Sequence, residues 1–268
     1  MPDGLRLLSI FAHPDDESLG NGGMLAKYAA EGIETYLVTA TRGEQGWFGE
    51  EAENPGPEAL GRIRETELRA AADVLGLRDV ALLDYHDGEL DRAPPDEAIA
   101  QIAGHIRRVR PHVVVTFDQH GVYGHPDHVA ICQLTSAAVV AAADGGFADP
   151  AGLPPHRVSK LYCMAWREDV RHTYEAAFGD LVMNIDGVER RPVTWPDWAI
   201  TTWIDTAAYW ERAWQAIACH KTQLPGYESL LKLPEEHHRT LWGLQTYYRL
   251  FSLVNTPARE DDLFAGLR

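Results

Sequence analysis

Cysteine is scarce in this sequence of 268 residues: there are three, Cys132, Cys163 and Cys219, far apart and odd in number. That pattern offers neither a disulfide framework nor a thiolate metal site, and it suits a reducing compartment with each thiol a small buried hydrophobe. Positive charge is also in short supply, 24 Lys and Arg against 40 Asp and Glu, for a formal charge of −16. So acidic a chain is a poor match to nucleic acid or an anionic membrane face, and neither is expected as a partner. Long apolar runs are missing. No uncharged stretch approaches membrane-spanning length, and Asp15, Asp16 and Glu17 interrupt the one early apolar run, so no signal peptide is visible. The expectation is a soluble, cytoplasmic protein. Linkers, internal repeats and low-complexity tracts are absent too. What is present, 45% hydrophobic residues, is enough for a large core in one α/β domain.

The chain is organised around Phe11-Ala12-His13-Pro14-Asp15-Asp16-Glu17, which follows the apolar run Leu5, Leu7, Leu8, Ile10. Such a run reads as a buried strand. It ends in one imidazole and three carboxylates within five residues. Burying them is costly unless something pairs with them, and a divalent cation is a ready partner. Pro14 removes a backbone donor and fixes φ, so the strand stops and turns there. The acidic side chains are thus held at the strand's carboxyl end, where open α/β sheets place ligands. Taken alone, the string also reads as a polar turn capping a helix.

A second string weighs against that plainer reading. Gly121-Val122-Tyr123-Gly124-His125-Pro126-Asp127-His128 follows the apolar run Val113-Val114-Val115-Thr116-Phe117 and precedes a helical stretch from Val129 to Ala143. Pro126 fits the first helical position and His125 the N-cap, with Asp127 and His128 in the first turn. The helix dipole favours Asp127 there and disfavours a protonated His128, leaving a neutral imidazole able to bind metal.

Together, Ala12-His13-Pro14-Asp15-Asp16-Glu17 and His125-Pro126-Asp127-His128 resemble the PIG-L/LmbE family of zinc-dependent N-deacetylases, which includes enzymes acting on N-acetylglucosamine conjugates. Order, spacing and flanking strands agree, strongly over the first half and weakly beyond. The resemblance implies a metal held by His13, Asp16 and His128, with an open position for water. Zn2+ suits such a set, and Fe2+ or another divalent ion fits as well. It further implies Asp15 as the base that takes a proton from that water, and His125 as oxyanion partner and acid. Asp127 would hold the His125 ring, and Tyr123 would assist at the oxyanion. The expected substrate is a small N-acyl compound, a sugar conjugate of N-acetylglucosamine type.

Taken in order, the first motif leads through Gly20-Asn21-Gly22-Gly23 into a helix over Met24–Ala30. These glycines do not match a dinucleotide fingerprint, and the acidic loop would repel a pyrophosphate; they read as sites of close helix packing. Strand two is expected over Ile33–Thr39, followed by a long Gly-, Glu- and Pro-rich loop to Pro57. Long loops at this end of a sheet often act as lids, and the family's Gly-Glu segment makes Glu44 a candidate sugar contact. Helix two is expected over Glu58–Leu75. On it, Arg64 either reaches the substrate or forms a surface pair with Glu67. Strand three is read over Val80–Leu83; the His and acids of the following loop, Asp84–Leu90, resemble a ligand set, but a solvated turn is the commoner case and is the one expected. Helix three is read over Asp96–Val109.

Four βα units predict a Rossmann-like α/β fold: a mostly parallel sheet in the order 3-2-1-4-5, flanked by helices. In that order both His-Pro-Asp turns face one crevice at the switch point. Residues 1–150 form this core in a single domain spanning 1–268, and 151–268 form a smaller aromatic-rich extension completing sheet and pocket. In the extension, strands are expected over Val158–Met164 and Ala199–Ile204, and helices over Tyr209–His220 and Glu235–Phe251. Seven of eight tryptophans lie after residue 160. They fit core, sugar-stacking wall or the interface of a homo-oligomer, with core favoured. Glu235, His237 and His238 read as surface, since adjacent histidines on a helix face apart. Two rival readings share the metal site, a hydratase or lyase of a small carboxylate and a non-catalytic metal-binding scaffold. The presence of Asp15 and His125, which a scaffold would not need, speaks against the second.

Overall fold

The computed structural model describes residues 4–185 and 187–268. Its central strand is β1 (Arg6–Phe11), whose residues after Arg6 are all buried. A parallel strand covered on both faces needs a mainly apolar run, and in β1 Leu7, Leu8, Ile10 and Phe11 supply it around the buried Ser9. β1 pairs in parallel with β2 (Glu34–Thr41) on one side, Ile10 opposite Val38. The helices α1 (Asp16–Ala30) and α2 (Pro57–Leu75) and the strand β3 (Asp79–Tyr85) continue the first half. The second half runs through α3 (Pro95–Val109), β4 (Val113–Thr116), the irregular turn α4 (Gly121–Gly124) and α5 (Pro126–Ala143). β4 pairs in parallel with the other edge of β1, Leu8 opposite Val114. Then come β5 (Lys160–Met164), α6 (Glu168–Phe178) and a hairpin of β6 (Met183–Ile185) and β7 (Val188–Arg190). The chain closes with β8 (Thr202–Asp205), α7 (Trp210–Ile217), α8 (Glu228–Leu231), α9 (Glu235–Trp242) and β9 (Leu244–Ser252).

The main sheet has seven strands in the order β3-β2-β1-β4-β5-β9-β8. Its parallel part is the expected 3-2-1-4-5, so the switch point lies between β1 and β4, and both motif turns follow those two strands. α3 packs along α5, while α1, α2 and α7 pack on one another.

Two expectations need correction. The stretch Glu235–Phe251 is not one helix: α9 ends at Trp242, and the rest is β9, antiparallel to both β5 and β8. The run Gln245-Thr246-Tyr247-Tyr248 is rich in residues that fill a pleated, half-buried surface. At the break, a Cβ on Gly243 would lie 2.4 Å from the Arg239 carbonyl oxygen. The first helix begins at Asp16 rather than Met24, so Gly20, Gly22 and Gly23 lie inside it. A Cβ on Gly23 would sit 2.8 Å from the Thr206 Cβ and 2.9 Å from the Trp242 carbonyl, and one on Gly22 would sit 3.0 Å from the Ala213 Cβ. These glycines admit the C-terminal extension against α1, a tertiary gain that offsets their helix-propensity cost.

The extension is also tied to the sheet by a buried polar knot. Glu260 accepts from the Lys160 Nζ at 2.6 Å, the Tyr162 hydroxyl at 2.7 Å and the Thr202 hydroxyl at 3.0 Å. The side chains of Lys160 and Glu260 are fully buried. Among the described residues, no helix is long and apolar enough to cross a membrane.

Candidate active site

The turn after β1 brings His13 and Asp16 together through the backbone. Asp16 Oδ2 accepts from the amides of His13 at 2.8 Å and Ala12 at 3.2 Å. Between them Asp15 adopts φ 114°, a left-handed conformation that costs a non-glycine residue energy. Buried neighbours hold it there. Glu17 accepts from the Asp15 amide at 2.9 Å and pairs with His220 Nε2 at 2.8 Å. Glu17 and His220 are both fully buried. Arg64 Nη2 donates to Asp15 Oδ2 at 3.0 Å and to the Pro14 carbonyl, while Nη1 donates to the Gly43 carbonyl at 2.8 Å. The Tyr227 hydroxyl donates to the same Asp15 oxygen at 2.7 Å.

The turn after β4 supplies the facing wall. Asp118 accepts from the Val122 amide at 3.0 Å and from Trp195 Nε1 at 2.7 Å, fixing a kink in which Val122 takes φ 63°, ψ −71°. His125 is the N-cap of α5, and its Nδ1 accepts from the Asp127 amide at 3.2 Å. His128, in the first turn, stacks on Phe117 with centroids 3.9 Å apart.

Across the switch point His13 Nδ1 and His128 Nε2 stand 3.1 Å apart. Each ring's other nitrogen is committed. His13 Nε2 lies 3.0 Å from carboxylate oxygens of both Asp87 and Asp127, and His128 Nδ1 lies 3.3 Å from the Gly121 carbonyl. Carboxylates and carbonyls only accept, so those nitrogens carry the protons and the two facing atoms present lone pairs. Only a proton or a cation reconciles them. In the metal-free chain a proton serves. Burial opposes charging His13, but its bonds to Asp127 and Asp87 hold its pKa well above the usual value. Burial, and then the charge on His13, push His128 well below.

The Asp16 carboxylate lies beside both rings, Oδ2 3.7 Å from His13 Nδ1 and Oδ1 3.5 Å from His128 Nε2. A tetrahedral ion with bonds of about 2.0–2.1 Å spaces its ligand atoms about 3.4 Å apart, near these pairwise separations. Among the described residues, the groups whose ligand atoms are all mutually close are His13, His125 and His128, and His13, Asp87 and Asp127. Burial raises the Asp16 carboxyl to about 7, so that it holds a proton more readily than an exposed carboxylate does. His125 also lies close enough to His13 and His128 to share an ion. Its Nδ1 bond, however, puts the proton of the neutral ring on Nε2. Burial and the neighbouring His13 charge lower its pKa to about 4.

These residues floor a cavity of about 510 Å³, which also takes in Arg64 and Tyr123. Tyr123 packs edge-on against His125 and His128. Glu44 does not line the cavity; its Oε1 accepts from the Asp87 amide at 2.9 Å and so props the loop after β3. That loop is not the solvated turn it reads as in sequence. Asp87 reaches His13, and the amides of Gly88 and Leu90 donate to Asp127 at 2.7 and 3.0 Å. Asp127 therefore orients His13 rather than the His125 ring, because its carboxylate points across the switch point while only its amide meets His125. Arg64 is not paired with Glu67 either, whose carboxylate takes the amide and hydroxyl of Thr222. Asp87 sits at the carboxyl end of a parallel strand, the signal that could have marked it. His220 belongs to Cys219-His220-Lys221-Thr222-Gln223, which resembles a weakly shared family element at the rim of the site, whereas Tyr227 carries no local signal.

A family model described as GlcNAc-PI de-N-acetylase matches residues 8–139, the stretch holding both motif turns. A 1D-myo-inositol 2-acetamido-2-deoxy-alpha-D-glucopyranoside deacetylase of Geodermatophilus obscurus is 36% identical, the alignment covering 100% of this chain and 99% of that one. Among solved structures, the N,N'-diacetylchitobiose deacetylase of Pyrococcus horikoshii superposes with a TM-score of 0.70 at 22% identity, over 92% of this chain and 84% of that one. The 4-carboxy-2-hydroxymuconate hydratase of Pseudomonas putida superposes with a TM-score of 0.62 at 18% identity, over 94% and 99%. The fold alone thus accommodates both hydrolase and hydratase.

Proposed function

Since the chain belongs to the GlcNAc-PI de-N-acetylase (PIG-L) family, which is metal-dependent, we propose that it hydrolyses the acyl–nitrogen bond of a small N-acetylglucosamine-type substrate with a zinc ion held by His13, Asp16 and His128. The observation that carries this reading is the pair of facing imidazole lone pairs with Asp16 in reach, set beside a second carboxylate, Asp15, that makes no such contact. When bound, the ion polarises the amide carbonyl and acidifies a water toward a pKa of ~7.

The chain's own residues do the rest. Asp15 Oδ2 is occupied by Arg64 and Tyr227, which leaves Oδ1 to take a proton from the water. The φ of 114° aims this carboxylate into the cavity instead of letting it cap α1. His125 presents Nε2–H to the cavity and donates to the oxygen where negative charge develops; Tyr123 stands beside it as a second donor. Asp15 then returns its proton to the departing amine. Residues from both 1–150 and 151–268 line the one cavity, which supports treating the chain as a single functional unit.

The hydratase reading shares the ion and the fold but has no need of amide cleavage. Asp15→Asn keeps size and shape while removing basicity. The expected result is unchanged metal content by elemental analysis and acetate release from N-acetylglucosamine glycosides reduced by ~100-fold or more. Lost metal would make Asp15 a ligand, and full activity would mean the proton goes elsewhere.

A further inference from the structure

The floor of the cavity is polar and its upper wall is not. α6 and the segment after it build that wall. Trp166 and Tyr174 stack with centroids 4.8 Å apart at 6°, and Tyr174 and Phe178 continue the ladder at 6.4 Å and 15°. Tyr174 is near enough to the floor to feel the Asp15 charge, which with burial raises its pKa. At the mouth the apolar surface lies open: Phe178 is 40% exposed, Met183 42% and Phe48, from the loop after β2, 53%. Large side chains clustered in the open around a site are unusual in a soluble fold unless something covers them.

Among the described residues, the charged and amide side chains that line the cavity above the floor are Asp180 and Gln223. Asp180 accepts from Arg191 at 2.6 Å, and Gln223 donates to the Gly46 carbonyl at 2.8 Å. A polyol such as the inositol of the Geodermatophilus enzyme's named substrate would find few partners along this wall and would lose the hydrogen bonds it makes to water.

We infer that the cavity selects a substrate carrying an apolar or aromatic substituent, seated along Trp166, Tyr174 and Phe178 and covered at the mouth by Phe48 and Met183. The inference rests on the deacylase reading and names its substrate class. The substituent is attached either at the sugar's anomeric position or as an extended acyl chain on the nitrogen, and both present the same surface to the wall.

The test uses the metal-loaded full chain and measures kcat/KM in two arms. One arm follows acetate released from the octyl, phenyl, inositol and methyl glycosides of N-acetylglucosamine. The other follows amine released from the methyl glycoside carrying an N-octanoyl or an N-acetyl group. In one arm the apolar compound should exceed its methyl or acetyl counterpart by about 10-fold or more, and that arm locates the substituent. Phe178→Ser, at an exposed rung, should bring the ratio back toward one, and Met183→Ser should lower it too. Ratios at or below one in both arms, with acetate still released, overturn the inference and leave the deacylase reading standing. Release from no compound overturns the reading of the reaction. The inference is then decided by titrating metal-free protein with octyl glucoside and following tryptophan fluorescence. A saturable change lost in Phe178→Ser supports it, and no change overturns it.

Discussion

Asp127 and Asp87 share one N–H, and the consequence can be measured. Both carboxylates lie 3.0 Å from His13 Nε2. Their work is to keep that nitrogen protonated, so that Nδ1 offers a lone pair to a cation. A carboxylate holding a ligating histidine is typically worth 10–100-fold in metal affinity. When two compete for one proton, removing either lets the other take over. Asp87→Asn should therefore weaken metal binding by only about 3-fold, below that range, because Asp127 takes over the proton. Asp127→Asn should cost more, about 10–30-fold, because an amide placed there also disturbs the bonds from the Gly88 and Leu90 amides. The double variant should lose the whole effect, about 100-fold or more, or roughly 2.7 kcal/mol, exceeding the singles combined if Asp87→Asn stays near threefold. Competition titration with a chelator of known affinity gives the three dissociation constants, and activity at saturating metal separates binding from chemistry. Should Asp127→Asn bind metal normally yet stay inactive at saturation, Asp127 would be acting through His125, as the sequence reading had it. Strict additivity in the cycle would refute the shared proton.

Three further outcomes follow from other parts of the molecule. The metal-free protein holds protons on Asp16, raised to about 7, and on His13, raised above its usual value, so both favour the folded state at low pH and cease to do so as pH rises through those values. The gap in Tm between metal-loaded and metal-free protein should therefore widen from pH 6 to 8, with protons released on binding detectable by calorimetry in buffers of different ionisation enthalpy; a constant gap would contradict it. Glu260→Ala strands a fully buried Lys160 and should cost ~3–5 kcal/mol in urea unfolding, whereas a loss under 1 kcal/mol would show the knot to be dispensable. Gly23→Ala places a methyl 2.8 Å from Thr206 and should cost ~1–3 kcal/mol by overpacking, against the gain expected from helix propensity alone.

Much of the parallel half was legible because local pattern and final environment agree there. Leu7 to Phe11 is apolar apart from Ser9 and Val113 to Val115 is wholly so, as suits strands covered on both faces, and Pro14 and Pro126 mark where each chain turns. In the doubly wound order 3-2-1-4-5 expected of such βα units, β1 lies beside β4, so His13, Asp16 and His128 could be expected in one crevice before any contact was known. Sequence did not show where side chains point. Asp127 turned to His13 rather than to its near neighbour because the loop carrying Gly88 and Leu90 donates to it from across the sheet. β9 was hidden in a stretch whose apolar residues suit a helix as well as a strand. What decided the matter was the open edge of β5, which needed hydrogen-bond partners. Tyr227, His220 and the aromatic wall arrive from the extension, where only the weak Cys219–Gln223 element marks His220, and their roles exist only through residues they meet after folding. The sequence by itself nominated the donors proposed for a metal, because each short turn carries its own residues in a fixed order. Tertiary structure decided the base's restraint, the His13 tautomer and the shape of the cavity, because each requires groups far apart in the chain to share a buried volume.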